Sequence, residues 1–253
     1  MVSGICKLCG KYRELCEAHI IARPFFKFLY PNRVANGTLI TTTRFGGEYR
    51  KFRVPATGVY DSGILCAECD NVFGKYDEYA AEILLNTKFD ETPEKEAYVL
   101  NAYDCRKLKL FFLSLVFRGS VSKYRMFAMI SVGEQHEQKI RNLLLAENPG
   151  TEDEYSVFLA KFDDSVEIPF ATKNILSPRR KKLNGINFCK FYLSNGIVAY
   201  IKIDKRKLDT PYSEIVLKQG HPCYVIKEEY RTSQELKLSM EYVKQISRNT
   251  PGI

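Results

Sequence analysis

Two short cysteine pairs limit what this chain can fold into more than any other feature. Cys6-Lys7-Leu8-Cys9 lies at the start of the sequence, and Cys66-Ala67-Glu68-Cys69 follows far downstream. Each pair can present two thiolates from one tight turn, and zinc in structural sites takes a closed tetrahedron of such ligands. One shared ion would fold the segment between the pairs back on itself. A second ligand set stays open at this level. Cys6, Cys9, Cys16 and His19 form a compact CxxC and CxxH run that could also close a tetrahedron, leaving Cys66 and Cys69 unexplained. Cys105, Cys189 and Cys223 are scattered and read as small core residues.

The chain has 253 residues, 45% of them hydrophobic and 13% aromatic. That is enough for a globular core in one large domain or two modest ones. The first residues show no charged start followed by an apolar core, so no secretory signal is visible. The most apolar run, Leu108 to Phe117, contains Lys109 and Ser114 and is too short for a bilayer, which needs about 20 apolar residues. It reads as a buried core helix, and the expected location is cytoplasmic, where cysteine pairs point to metal rather than disulfides. The formal net charge is +8, concentrated from residue 171 onward, where 16 basic side chains face seven acidic ones. A polyanion such as nucleic acid is the partner this charge suits, although a basic surface also serves solubility.

The expected class is α+β. Residues 1–90 form a zinc-bearing module and residues 91–253 a mixed region of helices and antiparallel strands, with the polar stretch Phe89–Lys95 as linker. Inside the module, Thr38–Thr43 and Glu48–Val54 are β-prone and flank a turn at Gly46-Gly47. Helical spacing is expected over Asn71–Leu85, Tyr103–Gly119 and Gly133–Ala146, the last with Ile140, Leu143 and Leu144 inward. Strands are expected over Tyr155–Phe162 and Cys223–Ile226, and a hairpin over Asn187–Ile203 with Asn195-Gly196 at its turn. Thr232–Ile246 reads as a closing helix. Ser177-Pro178-Arg179-Arg180-Lys181-Lys182 reads as a basic loop, either solvated or touching a phosphate backbone.

The order of parts in the first 70 residues resembles the zinc-bearing branch of the HNH endonucleases, whose fold is called ββα-metal. CxxC comes first, at Cys6–Cys9. Then follows a histidine in an apolar setting, Ala18-His19-Ile20-Ile21. Last is the run Asp61-Ser62-Gly63-Ile64-Leu65-Cys66-Ala67-Glu68-Cys69-Asp70, which in the family opens the final helix. The chain is also similar to a group of bacterial proteins with CxLCG, SHIIP-like and LCxxCE-like runs, from which no activity carries over.

The resemblance implies that His19 is the general base that activates water, that Asp70 stands at the last ligand position for a catalytic Mg²⁺ or Mn²⁺, and that Asp61 orients the histidine. A neutral imidazole suits the first role and a carboxylate the second. Four departures accompany it. Ala18 stands where the family usually has a metal ligand, Pro24 follows His19 later than usual, the interval from His19 to Cys66 is longer than usual, and the final helix has no histidine, although its Asn71, Asp77 and Glu78 could supply oxygens. Glu17 would face away from His19 in an extended strand. The implied function is metal-dependent hydrolysis of phosphodiester bonds in DNA, an activity associated with defence against foreign DNA. Arg23 and Lys27, with Arg33 and Arg44, lie near His19 in sequence as candidate phosphate contacts, as do Arg179, Arg180, Lys181 and Lys182 further on. The alternatives are a non-catalytic zinc module that binds nucleic acid and a protein-interaction subunit. The sequence leaves room for a protein partner or a second copy of the chain.

Overall fold

The computed structural model describes residues 2–29, 39–45, 48–54, 58–162, 175–229, 233 and 235–237. The expected closing helix over Thr232–Ile246 lies almost entirely outside them.

The chain begins with a small hairpin, β1 (Val2–Ile5) and β2 (Tyr12–Leu15), with Cys6 and Cys9 in its connection. β3 (Ala18–Ile21) and α1 (Arg23–Leu29) follow. β4 (Leu39–Phe45) and β5 (Glu48–Val54) form a two-stranded ribbon with Phe45 opposite Glu48, and the expected turn residues Gly46 and Gly47 lie outside the described residues. β6 (Val59–Asp61) returns to pair antiparallel with β3, and α2 (Ala67–Ala81) runs on from there. α2 starts earlier than its apolar spacing suggests because the second cysteine pair is built into its first turn. It ends in a π-helical turn, Glu82–Asn86.

Five of the later strands and two short ones before them form one seven-stranded sheet. These are β7 (Asp90–Glu91), β8 (Ala97–Leu100), β9 (Val157–Phe162), β10 (Arg179–Leu183), β11 (Ile186–Tyr192), β12 (Ile197–Lys202) and β13 (Cys223–Glu228). The order across the sheet is β10-β11-β12-β9-β13-β8-β7, and only β9 and β13 pair in parallel. The stretch read as a linker therefore contains an edge strand, paired through Asp90 and Glu91 to β8. The stretch read as a basic loop is the opposite edge strand, β10. Asn184 and Gly185 (φ 45° and 82°) turn β10 into β11, just as Asn195 and Gly196 (φ 63° and 70°) turn β11 into β12. Positive φ at both central residues matches the strand twist, which is why Asn-Gly recurs in such turns.

α3 (Cys105–Val121) is the hub. Every residue from Leu108 to Gly119 is buried, and the helix touches α2, β3, β12 and α4 (Glu134–Leu145). Asp104 caps its start by accepting from Lys107 N at 2.9 Å. α4 buries Ile140 and Leu144 as expected, with Leu143 half-buried. One apolar core includes residues from β3, α2 and α3 and one face of the sheet, so it crosses the expected boundary at residue 90 without a break. The other sheet face holds a second cluster around Phe158, Phe188, Val198 and Tyr200. Among the described residues, no helix is long and apolar enough to cross a membrane.

Candidate functional site

The turn after β1 bends Cys6 and Cys9 toward one another. Gly10 completes it with φ 75°, and its N–H donates to Cys6 O at 2.9 Å. Lys7 N donates to Ile64 O at 2.8 Å, which brings this turn beside the second cysteine pair at the start of α2. Arg141 of α4 donates from Nε to Leu8 O and holds the turn from outside. The result is a group of four thiols, Cys6, Cys9, Cys66 and Cys69, with all sulfurs within 4.8 Å of one another. A tetrahedral ion with bonds of about 2.3 Å needs sulfurs roughly 3.8 Å apart, so the geometry suits one zinc ion.

The protonation chemistry of the group fits a cation at its centre. Burial works against ionisation of Cys6, but backbone N–H groups of Cys9, Cys66 and Leu8 outweigh it and bring its pKa down to about 7. One of these is Cys66 N, 3.4 Å from Cys6 Sγ. Burial and the neighbouring sulfurs push Cys69 well up, and burial does the same to Cys66. Four crowded thiols cannot all ionise against one another, whereas a divalent ion reverses that balance.

The compact alternative is not assembled. Among the described residues, the four thiols are the only group of three or more His, Cys, Asp or Glu ligands this close together. Cys16 instead donates to Leu65 O at 3.5 Å, and burial raises its pKa to about 11. His19 is thus outside the thiol group.

His19 sits on β3 opposite Tyr60 of β6, its ring edge-on to the tyrosine at 6.1 Å between centroids. The β3–β6 ladder slips between His19 and Ile21, a bulge of the kind that re-aims a side chain. Gly58 makes room for the ring. Its φ is 112°, and a Cβ there would stand 3.2 Å from His19 Cδ2 and 3.1 Å from Phe26 Cδ2. Asp70 is half-buried in the first turn of α2, directly after the last cysteine. Burial raises its carboxyl pKa and Asp77 adds to this, while Arg118 and His19 pull it down. Asp70 thus follows the last thiol directly, and the charge of His19 is the smallest of the influences on its carboxyl.

No protein-family model, curated protein or solved structure matches this chain. The site must be read from its own residues.

The fold engages most of the other expected residues in contacts of their own. Ala18 is fully buried opposite Asp61 and offers no ligand. Asp61 accepts from Gly63 N at 2.8 Å, Ser122 Oγ at 2.8 Å and Lys123 N at 3.2 Å, so it fastens β6 to the end of α3. Arg23 and Lys27 are exposed on α1, the helix that follows β3. Arg179 is paired with Glu235 and lies 5.7 Å from the Tyr192 ring centre, and Arg180 donates to Ser131 O at 2.9 Å. Those two arginines are tied into the sheet, and Lys181 and Lys182 lie on edge strand β10 with them.

One pairing went unread in the sequence. Arg118 and Asp77 look like ordinary helix-face charges, but they form a buried ion pair behind His19, with Nη2–Oδ1 at 2.7 Å and Nη1–Oδ2 at 2.8 Å. Arg118 directly follows the apolar run Leu108 to Phe117, and that position was the one available signal.

Proposed function

We propose that this chain is an HNH-like, metal-dependent endonuclease acting on DNA, with a structural zinc held by Cys6, Cys9, Cys66 and Cys69. The observation that carries the reading is the four-thiol group itself, which ties the turn before the His19-bearing strand pair to the start of the helix whose first turn carries Asp70. The succession β3, β6, α2, with one cysteine pair before it and the other at the start of α2, resembles the order of parts in a ββα-metal module. In this reading the His19 imidazole takes a proton from the attacking water, whose oxygen bonds to phosphorus as the ester P–O bond breaks. Asp70 would hold Mg²⁺ or Mn²⁺ together with substrate phosphate, an arrangement usual for these ions, which need only one or two carboxylates. The bound ion would supply charge stabilisation at the phosphate.

Support for nucleic acid as substrate comes from charge. The net charge is +8, and the β4–β5 ribbon between β3 and β6 carries Arg44, Arg50, Lys51 and Arg53 against the single acid Glu48. A two-stranded ribbon is one of the elements the DNA major groove admits. A defence role against foreign DNA is part of the proposal by association with such nucleases.

A second reading has specific support: a zinc module that binds nucleic acid without cutting it. Ala18 offers no ligand, and Asp61 is engaged away from the histidine. One experiment separates the two. The protein and its His19→Ala variant are incubated with plasmid DNA and Mg²⁺ or Mn²⁺. Cleavage by the parent and none by the variant supports the nuclease. DNA binding by both with cleavage by neither supports the second reading.

A further inference from the structure

Behind His19 lies a guanidinium with no exposure to solvent. Arg118 of α3 is 0% exposed, and all five of its N–H groups find acceptors. Nη1 donates to His19 O at 2.7 Å and to Asp77 Oδ2 at 2.8 Å. Nη2 donates to Asp77 Oδ1 at 2.7 Å and to Ser114 Oγ at 2.9 Å. Nε donates to Ser114 O at 3.3 Å. The cation also lies 5.2 Å from the centre of the Phe73 ring of α2.

We propose that Arg118 is the positioning residue for His19, clamping the bulged backbone of β3 at His19 to Asp77 on α2, the helix whose first turn carries Asp70. The inference rests on the nuclease reading for its chemistry but on geometry for the clamp.

Three observations favour positioning over stability as the purpose of this pair. Replacing a buried ion pair with well-packed apolar side chains is often neutral or stabilising, so stability alone does not account for it. The guanidinium grips the backbone of His19 itself, at the residue where the β3–β6 ladder slips. Asp77 lies seven residues from Asp70, two helical turns along the same side of α2. The clamp is therefore in line with the acid it would register. It also comes from outside the first 90 residues, so the centre is incomplete without α3.

The test uses the full chain in two variants. Arg118→Met leaves Asp77 buried and unpaired and is expected to lose stability. Arg118→Met with Asp77→Leu removes both partners, and its Tm and zinc content are expected to stay near those of the parent. The double variant is then compared in two ways. Plasmid cleavage should lose about 10²-fold in kcat, the scale of a small misplacement at a reacting centre, with KM changed less than about twofold. The imidazole NMR signal of His19, identified among the three histidines by its loss in His19→Ala, should move while those of His136 and His221 stay. A folded, zinc-bearing double variant with parental kcat or an unmoved His19 signal would overturn the proposal. If the parent does not cut DNA, that result counts against the nuclease, and the imidazole signal alone decides the clamp.

Discussion

Removing one sulfur from the thiol group tests whether it holds an ion that staples the fold. Cys66 is the N-cap of α2, and its side chain makes no capping hydrogen bond, so Cys66→Ala removes a ligand without a cap interaction. Cys6 and Cys66 are 60 residues apart. Treated as a cross-link over a loop of that length, the ion removes about 14 cal/mol/K of unfolded-chain entropy, roughly 4 kcal/mol at room temperature. For a domain of this size each kcal/mol shifts Tm by about 2–4 °C. Cys66→Ala should therefore melt roughly 8–16 °C below the parent. Metal content by emission spectroscopy should fall from one zinc per chain to a small fraction. A chelator should lower the Tm of the parent by a similar amount and leave the variant nearly unchanged. A variant that keeps one zinc and melts with the parent would refute the shared-ion reasoning.

Gly58→Ala places a methyl against His19 and Phe26 at a backbone φ of 112° that disfavours side chains. It should cost about 1–3 kcal/mol in a denaturation series, and cleavage should fall with zinc retained. Replacing Arg44, Lys51 and Arg53 with glutamate should weaken DNA binding. If each contacts one phosphate, the slope of log affinity against log salt should become shallower by about three. Lys109, 3% exposed and bonded to Thr151 O, has its pKa brought down to about 8 by burial, with Cys105, Glu154 and Glu152 opposing. Because the unfolded chain holds that proton more tightly, stability should rise with pH between about 8 and 10.5. Lys109→Met should flatten this rise in Tm measured across that window and should melt higher at pH 7.

What could be read from the chain in advance follows the reach of each signal. Cysteine spacing is a ligand chemistry, and it located the four thiols. Asn195-Gly196 is a local backbone demand, and it located the β11–β12 hairpin. Asn184-Gly185 makes the same demand and was hidden by the charge of Arg179 to Lys182, which reads as solvated loop. Those residues form a strand because the exposed edge of a sheet tolerates charge and the pairing with β11 is made by the backbone. The short edge strand β7 was masked in the same way by the polar composition of Phe89–Lys95. The parallel pairing of β9 with β13 joins segments far apart in sequence and has no local signature. The pairing of Arg118 with Asp77 was unreadable for a different reason. A charge on a helix looks solvated until its partner on another helix is known.

The uninterrupted core across residue 90 also limits how this chain can be divided. The side of α2 formed by Phe73, Tyr76 and Ala80 is an inner wall of the whole molecule. A graft of the early cysteines, His19 and α2 onto another protein would leave that wall wet and leave the His19 carbonyl without its guanidinium donor. Gene fusion or recombination could therefore move this centre intact only by carrying α3 along with it.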